Sequence, residues 1–179
     1  VYKRQLLRGA KPSRLFEPGI SCMHIACVRG DTHIIKALLA KGAKPDPLGF
    51  LAGTPIMNAS QSGKVEVVKL LTEAKANPRR TMRFPWWGST VIGMAAFNGE
   101  AAVIELLCKA RASPNQTSWY HPGSYMPLQF AAAEGHLNAV TTLLQANHVR
   151  VNAGSTMLLG QTALVVAAKE GFPEIVEKI

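Results

Sequence analysis

Thr162-Ala163-Leu164-Val165-Val166-Ala167-Ala168-Lys169-Glu170-Gly171 is the last of five similar stretches in this 179-residue chain. The others start at Ser21 (SCMHIACVRG), Thr54 (TPIMNASQSG), Thr90 (TVIGMAAFNG) and Met126 (MPLQFAAAEG). Each runs from a capping residue through a few apolar residues to an anchoring Ala, then a small residue, two variable residues and Gly. The anchors Ala26, Ala59, Ala95, Ala131 and Ala167 are spaced by 33, 36, 36 and 36 residues. A fixed period of this length predicts a solenoid of stacked helical units, whose core is a strip through the stack rather than a ball.

One copy can be built from its residues. Ser21, Thr54, Thr90 and Thr162 place a hydroxyl where it can cap the orphan amides of a first helix. Pro55 and Pro127 follow at the first helical position, where a missing N–H costs nothing. The pairs Ala95-Ala96, Ala131-Ala132 and Ala167-Ala168 allow close packing, and the terminal Gly turns the chain. A second helix is predicted from apolar residues at helical spacing: Ile34, Ile35, Leu38; Val67, Val68, Leu71; Val103, Ile104, Leu107; Val140, Leu143; Ile175, Val176, Ile179. Pro45, Pro78 and Pro114 then end the pattern.

Thr54-Pro55-Ile56, Met23-His24-Ile25-Ala26 and Gly135-His136-Leu137 carry a resemblance to the ankyrin repeat. The core of that repeat is a Gly-x-Thr-Pro-Leu-His-x-Ala-Ala-x-x-Gly run followed by a Val-Val-x-Leu-Leu helix. The resemblance implies an all-α ankyrin-repeat solenoid of stacked helix-turn-helix units with hairpin-like fingers. The repeats are expected at 16–48, 49–84, 85–120 and 121–156, with a truncated one at 157–179 and the remnant of a preceding one at 6–15. Val1-Tyr2-Lys3-Arg4-Gln5 reads as the in-frame translation of a sequencing adapter, and the whole as a fragment of a longer protein. The chain departs from the family pattern in places. The motif histidine is kept only at His24, with Met57, Gly93, Gln129 and Val165 in its place elsewhere. Lys75 and Arg111 stand at the turn where Gly42 stands, and a left-handed non-glycine residue costs roughly 1–2 kcal/mol. Gly93 inside a helix costs about 1 kcal/mol relative to Ala, which predicts modest stability for the third repeat.

Several function classes are excluded by what the residues lack. There is no glycine-rich phosphate loop, nucleophile elbow or His-Glu-x-x-His pattern, so no catalytic residue and no cofactor site is assigned. Cys22, His24 and Cys27 have no second Cys/His pair at matching spacing, so no metal is assigned either. Cys27 and Cys108 read as small core residues. Three cysteines, an odd number, argue against a disulfide framework. Together with the resemblance they point to an intracellular, cytoplasmic setting. No apolar run is long enough to span a membrane, so no membrane insertion is expected.

In the ankyrin family, partners contact the finger tips and the exposed side of the first helices. Carried over by alignment, the finger positions are Phe50 and Leu51, Trp86 and Trp87, Pro122 and Tyr125, and Leu158 and Leu159. Trp119 also lies in a finger, and Phe97 and Asn98 hold the variable positions before Gly99. Aromatic anchors of this kind dominate binding energy; the competing reading is that Trp86, Trp87, Trp119 and Tyr125 stack finger against finger. Arg79, Arg80 and Arg83 precede Phe84-Pro85-Trp86-Trp87 in a chain of net charge +9, or +7 without Lys3 and Arg4. That charge favours a partner protein with an acidic surface. Basic residues among aromatics also suit nucleic acid or a nucleotide on the Arg79–Trp87 finger. The expected function is therefore non-catalytic protein–protein recognition by a scaffold or adaptor. One alternative is the recognition arm of a larger enzyme, channel or ubiquitin-ligase adaptor; the other is nucleic-acid binding.

Overall fold

The computed structural model describes residues 15–16, 20–49, 53–81, 87–120, 123–154 and 160–179; at 15, 16, 87, 119 and 120 only the backbone is described. The chain divides into two compact units, Val1–Asn77 and Pro78–Ile179.

The first unit contains β1 (Leu15–Phe16) and β2 (Ile20–Ser21), then two helix pairs. These are α1 (Cys22–Arg29) with α2 (Thr32–Ala40), and α3 (Pro55–Gln61) with α4 (Val65–Glu73). β1 and β2 form an antiparallel hairpin with Leu15 opposite Ser21. Helix α1 packs on α3, and α2 on α4. The predicted apolar stripes face inward: Ile35, Leu38, Val68 and Leu71 are fully buried, each contributing roughly 1.5–3 kcal/mol.

The second unit contains three helix pairs: α5 (Val91–Phe97) with α6 (Ala101–Lys109), α7 (Pro127–Ala133) with α8 (Leu137–Leu144), and α9 (Ala163–Glu170) with α10 (Pro173–Lys178). First helices stack on first helices, α5 on α7 on α9, and second on second, α6 on α8 on α10. Ala95, Ala96, Ala131, Ala132 and Ala167 are fully buried between the first helices, and Ile104, Leu107, Val140 and Leu143 between the second. Helices of six to nine residues are too short to persist alone, so this stacking is what sustains them. Gly99 (φ +73°) and Gly135 (φ +74°) show how tight the stack is. A Cβ on Gly99 would meet the His136 ring at 2.8 Å, and one on Gly135 the Phe172 ring at 2.7 Å.

The fingers join through their backbones. β3 (Trp87–Gly88), β4 (Ser118–Tyr120) and β5 (Gly123–Tyr125) make one antiparallel sheet in the order β3-β4-β5. Trp87 lies opposite Tyr120, Gly88 opposite Trp119, and Trp119 opposite Ser124.

Lys75 and Arg111 adopt the left-handed conformation expected of that turn, at φ +68° and +66°. His148 joins them at φ +64°. The spacing did not point to it because His148 stands four residues after Leu144, whereas Gly42 stands three after Leu39. Cys108, read as core, is only half-buried, because it lies near the C-terminal end of α6, where the packed strip opens into a groove.

Candidate functional site

The first helix of each pair begins where its finger ends, so the bonds at that junction decide how firmly the finger is held. In the first unit the junction is a buried histidine. His24 Nδ1 accepts the Ser21 N–H at 3.1 Å and lies 2.8 Å from Ser21 Oγ, while Nε2 lies 3.2 Å from the Gly53 carbonyl oxygen. A carbonyl can only accept, so Nε2 carries the proton and the neutral ring leaves Nδ1 as the acceptor. Burial holds this imidazole below its ordinary value of 6.5, against the opposing pull of the Gly53 carbonyl and the Asp46 charge. Protonation would also set an Nδ1–H against the Ser21 N–H.

In the second unit the same junction is built from the other side. Ser118, on the following finger, accepts the Thr90 N–H at 3.0 Å and lies 2.8 Å from Thr90 Oγ1, which caps Gly93 at 3.0 Å. A Cβ at position 93 would collide with Ser118 Oγ and come within 2.7 Å of Thr90 Oγ1. Gly93 is therefore also a space requirement, beside the cost that a glycine carries inside a helix. One repeat later, Gln129 replaces the histidine with an amide. Its Oε1 accepts the Met126 N–H at 2.7 Å, and its Nε2 donates to the carbonyls of Gln161 at 2.7 Å and Ala153 at 3.2 Å. Met126 has no hydroxyl with which to cap, and Gln129 makes to its N–H the same return bond that His24 makes to Ser21.

Next to these junctions lies an aromatic cluster in the second unit, in which Phe130 is buried and Phe97 and Tyr125 are half-buried. Phe97, half-buried at the end of α5, meets the ring of Phe130 on α7 edge-on, with centroids 5.9 Å apart. Tyr125 on β5 lies against the same ring at 5.4 Å. Phe130 escaped the sequence reading because it sits one residue before its anchoring Ala, where Ile25, Asn58 and Met94 stand in other copies. The signal was there: an aromatic in a position held by Ile, Asn, Met and Val in the other copies. Asn98, next to Phe97, is exposed and donates to the Met94 carbonyl at 2.9 Å.

The basic residues split. Arg79 turns toward the adjacent inter-repeat turn: its Nε–H donates to the Arg111 carbonyl at 2.7 Å, and its own carbonyl accepts Gln116 Nε2 at 2.9 Å. Asn115 repeats the device, donating to the His148 carbonyl at 2.7 Å and accepting the Arg150 N–H at 2.8 Å. Arg80 is half-buried. Phe50, Leu51, Arg83 and Trp86 lie outside the described residues, and Trp87 and Trp119 are placed by their backbones alone.

Burial disfavours the thiolate form of all three cysteines. Burial pushes Cys27 up to about 12, and raises Cys22 and Cys108 as well; the nucleophile and the metal ligand are both the thiolate. Among the described residues no three His, Cys, Asp or Glu side chains converge as a metal site, and no helix is long and apolar enough to cross a membrane.

The family model for ankyrin repeats matches this chain in three places, residues 3–82, 23–118 and 92–179. A 58-residue stretch is 36% identical to E3 ubiquitin-protein ligase XB3 of Oryza sativa subsp. japonica, covering 32% of this chain and 13% of that protein. This chain thus corresponds to a small part of that curated relative. With helix pairs stacked first on first and second on second, and family matches running through both units, the chain belongs to the ankyrin-repeat family, whose repeats bind other proteins and are not themselves catalytic.

Proposed function

We propose that this chain is an intracellular, non-catalytic recognition module, a scaffold or adaptor, that grips a partner protein with its aromatic finger tips and the adjoining first-helix surface. The observation that supports it most is the cluster of Phe97, Phe130 and Tyr125, in which rings from two first helices and a finger strand are already in contact. Fingers locked by Ser118 and Gln129 lose little further freedom on binding, so more of the contact energy becomes affinity. Phe50, Leu51, Trp86, Trp87 and Trp119 are the further finger residues that the alignment of the repeats assigns to partner binding. Arg80 and Arg83 add charge complementary to an acidic partner. Affinity capture with the intact chain, followed by titration of the captured partner, tests this. Phe97→Ala is expected to raise Kd about 30-fold, the scale of a hot-spot residue, with a small change in melting temperature. Unchanged affinity with a large loss of melting temperature would reduce Phe97 to packing.

Similarity to an E3 ubiquitin-protein ligase supports a second reading, in which these repeats select substrates for a larger ligase. Sequencing the parent transcript through both ends of this segment tests it, a ligase domain in the same reading frame being the supporting outcome. The nucleic-acid alternative on the Arg79–Trp87 finger is the weaker reading, since an acidic protein surface suits the same charge. Binding that falls linearly with salt on logarithmic axes would restore it.

A further inference from the structure

One charge stands beside the aromatic cluster. Between Arg111 and Arg150 the sequence holds a single Lys, Arg, Asp or Glu, and it is Glu134. Glu134 caps the C-terminal end of α7, where its N–H donates to the Phe130 carbonyl at 3.1 Å. It therefore stands one turn beyond Phe130 on the same helix, at the spacing that makes side chains neighbours. Glu134 is exposed and makes no ion pair among the described residues. On α9, which stacks on α7, exposed Glu170 holds the equivalent position, with Lys169 before it in sequence. Helix stability does not call for a carboxylate there, because the C-terminal end of a helix is the negative end of its dipole. That partial charge adds to the carboxylate instead of offsetting it. Arg150 lies past the far end of α8, whose eight residues span about 12 Å, so it leaves the field of Glu134 largely uncancelled.

We propose that the face formed by Phe97, Tyr125 and Glu134 receives a cationic segment of the partner protein, an arginine or lysine beside an apolar side chain. The inference rests on the reading of the aromatic cluster as a partner contact and adds the chemistry of what lies on it. Two independent features favour the same group. Aromatic rings attract a guanidinium or ammonium across their faces, and the half-buried rings of Phe97 and Tyr125 stand next to the carboxylate that would accept its N–H donors. Arg80, on the preceding finger, carries the opposite charge, so a partner that spans both presents carboxylates to one and cations to the other. A phosphate backbone is disfavoured on this face by Glu134 and by the negative end of α7.

The test uses the intact chain and a fluorescein-labelled 12-residue peptide of alternating Arg and Leu, followed by anisotropy, with the Glu and Leu counterpart as control. Saturable binding of the Arg peptide is expected despite the net charge of +9, with backbone amide shifts concentrated at Phe97, Ala133 and Glu134. Glu134→Gln should raise Kd about fivefold, the scale of one exposed ion pair, and Glu134→Lys should abolish binding. Neither should lower the melting temperature, because each removes a carboxylate from the negative end of a helix. Kd unmoved by both variants, or a Glu peptide that binds as tightly as the Arg peptide, overturns the proposal. The captured partner separates this inference from the reading beneath it. Affinity lost in Phe97→Ala but untouched by Glu134→Lys keeps the protein-binding face and overturns its cationic occupant; affinity untouched by either variant overturns both.

Discussion

His24 in the first helix pair and Ser118, on the finger after the third, close the same gap from opposite sides. His24 sends a ring outward from α1, satisfying its own cap residue at one nitrogen and the Gly53 carbonyl of the next finger at the other. Ser118 reaches inward from the next finger to the Thr90 cap, into room that exists because residue 93 has no side chain. Gln129 then repeats the outward geometry with an amide. In these three pairs a polar bridge runs from a helix cap to the following finger, whereas Met57 holds the corresponding place in the second pair. The residue type, and even the element that supplies it, is free. The difference matters for chemistry, because imidazole titrates near neutral pH while a serine hydroxyl and an amide do not.

The strongest way to break this comparison is to restore the family pattern where the chain lacks it. Gly93→His brings back the motif histidine and removes a helix glycine, yet it drives a ring into the space held by Ser118. It should cost about 3 kcal/mol or more in chemical denaturation, and Ser118→Gly in the same chain should recover most of the loss. A neutral Gly93→His would end the argument.

Deleting either bridge comes next in size. His24→Ala strands the buried Ser21 N–H and Gly53 carbonyl, and Ser118→Ala strands the Thr90 N–H. Each should cost about 1–3 kcal/mol, read as faster amide exchange at Ser21 in one variant and at Thr90 in the other. Exchange that accelerates equally at both amides in both variants would mean the two bridges are not local.

Acid sharpens the contrast further. The folded pKa of His24 lies below its ordinary 6.5, so neutral His24 contributes its full stability above that value. That contribution is lost as pH falls through 6.5 toward the depressed pKa, because the unfolded chain takes up a proton that the folded one resists. Exchange protection in α1 should therefore fall between pH 7.5 and 5 by more than protection in α5 or α7, and His24→Gln should flatten the difference. Equal pH dependence in all three helices would remove His24 as the titrating group.

The smallest effect expected is a gain. Arg111→Gly relieves a left-handed arginine and should stabilise the second unit by about 0.5–1 kcal/mol, seen as a raised denaturation midpoint. Loss of stability there would mean that the arginine side chain holds the turn through contacts worth more than its backbone strain.

Much of this fold is legible along the chain because its instructions are local. Thr54 before Pro55, and the Ile-Ile, Val-Val and Val-Ile pairs of the second helices, each act within one or two turns of helix. Lys75 and Arg111 could be placed in the left-handed region because the period aligned them with Gly42. The aromatic surface was legible only in part: Phe97 and Tyr125 were singled out by position, whereas Phe130, the ring that both touch, was hidden among core residues. Arg79 beside three aromatics read as a finger residue, and no neighbour in sequence reports that its Nε–H is bonded to a carbonyl 32 residues away.

The sequence by itself determined the period, the helix pairs, their caps and the family, because hydrophobic spacing, capping hydroxyls and turn residues act between near neighbours. Only the tertiary structure decided what Gly93 is for, where Arg79 spends its hydrogen bond, and that a groove opens beside Cys108. Each of those depends on a group at least 28 residues distant or on another helix. The register that brings them together, Gly88 against Trp119 in the finger sheet and first helix against first helix in the stack, exists only once the repeats have packed.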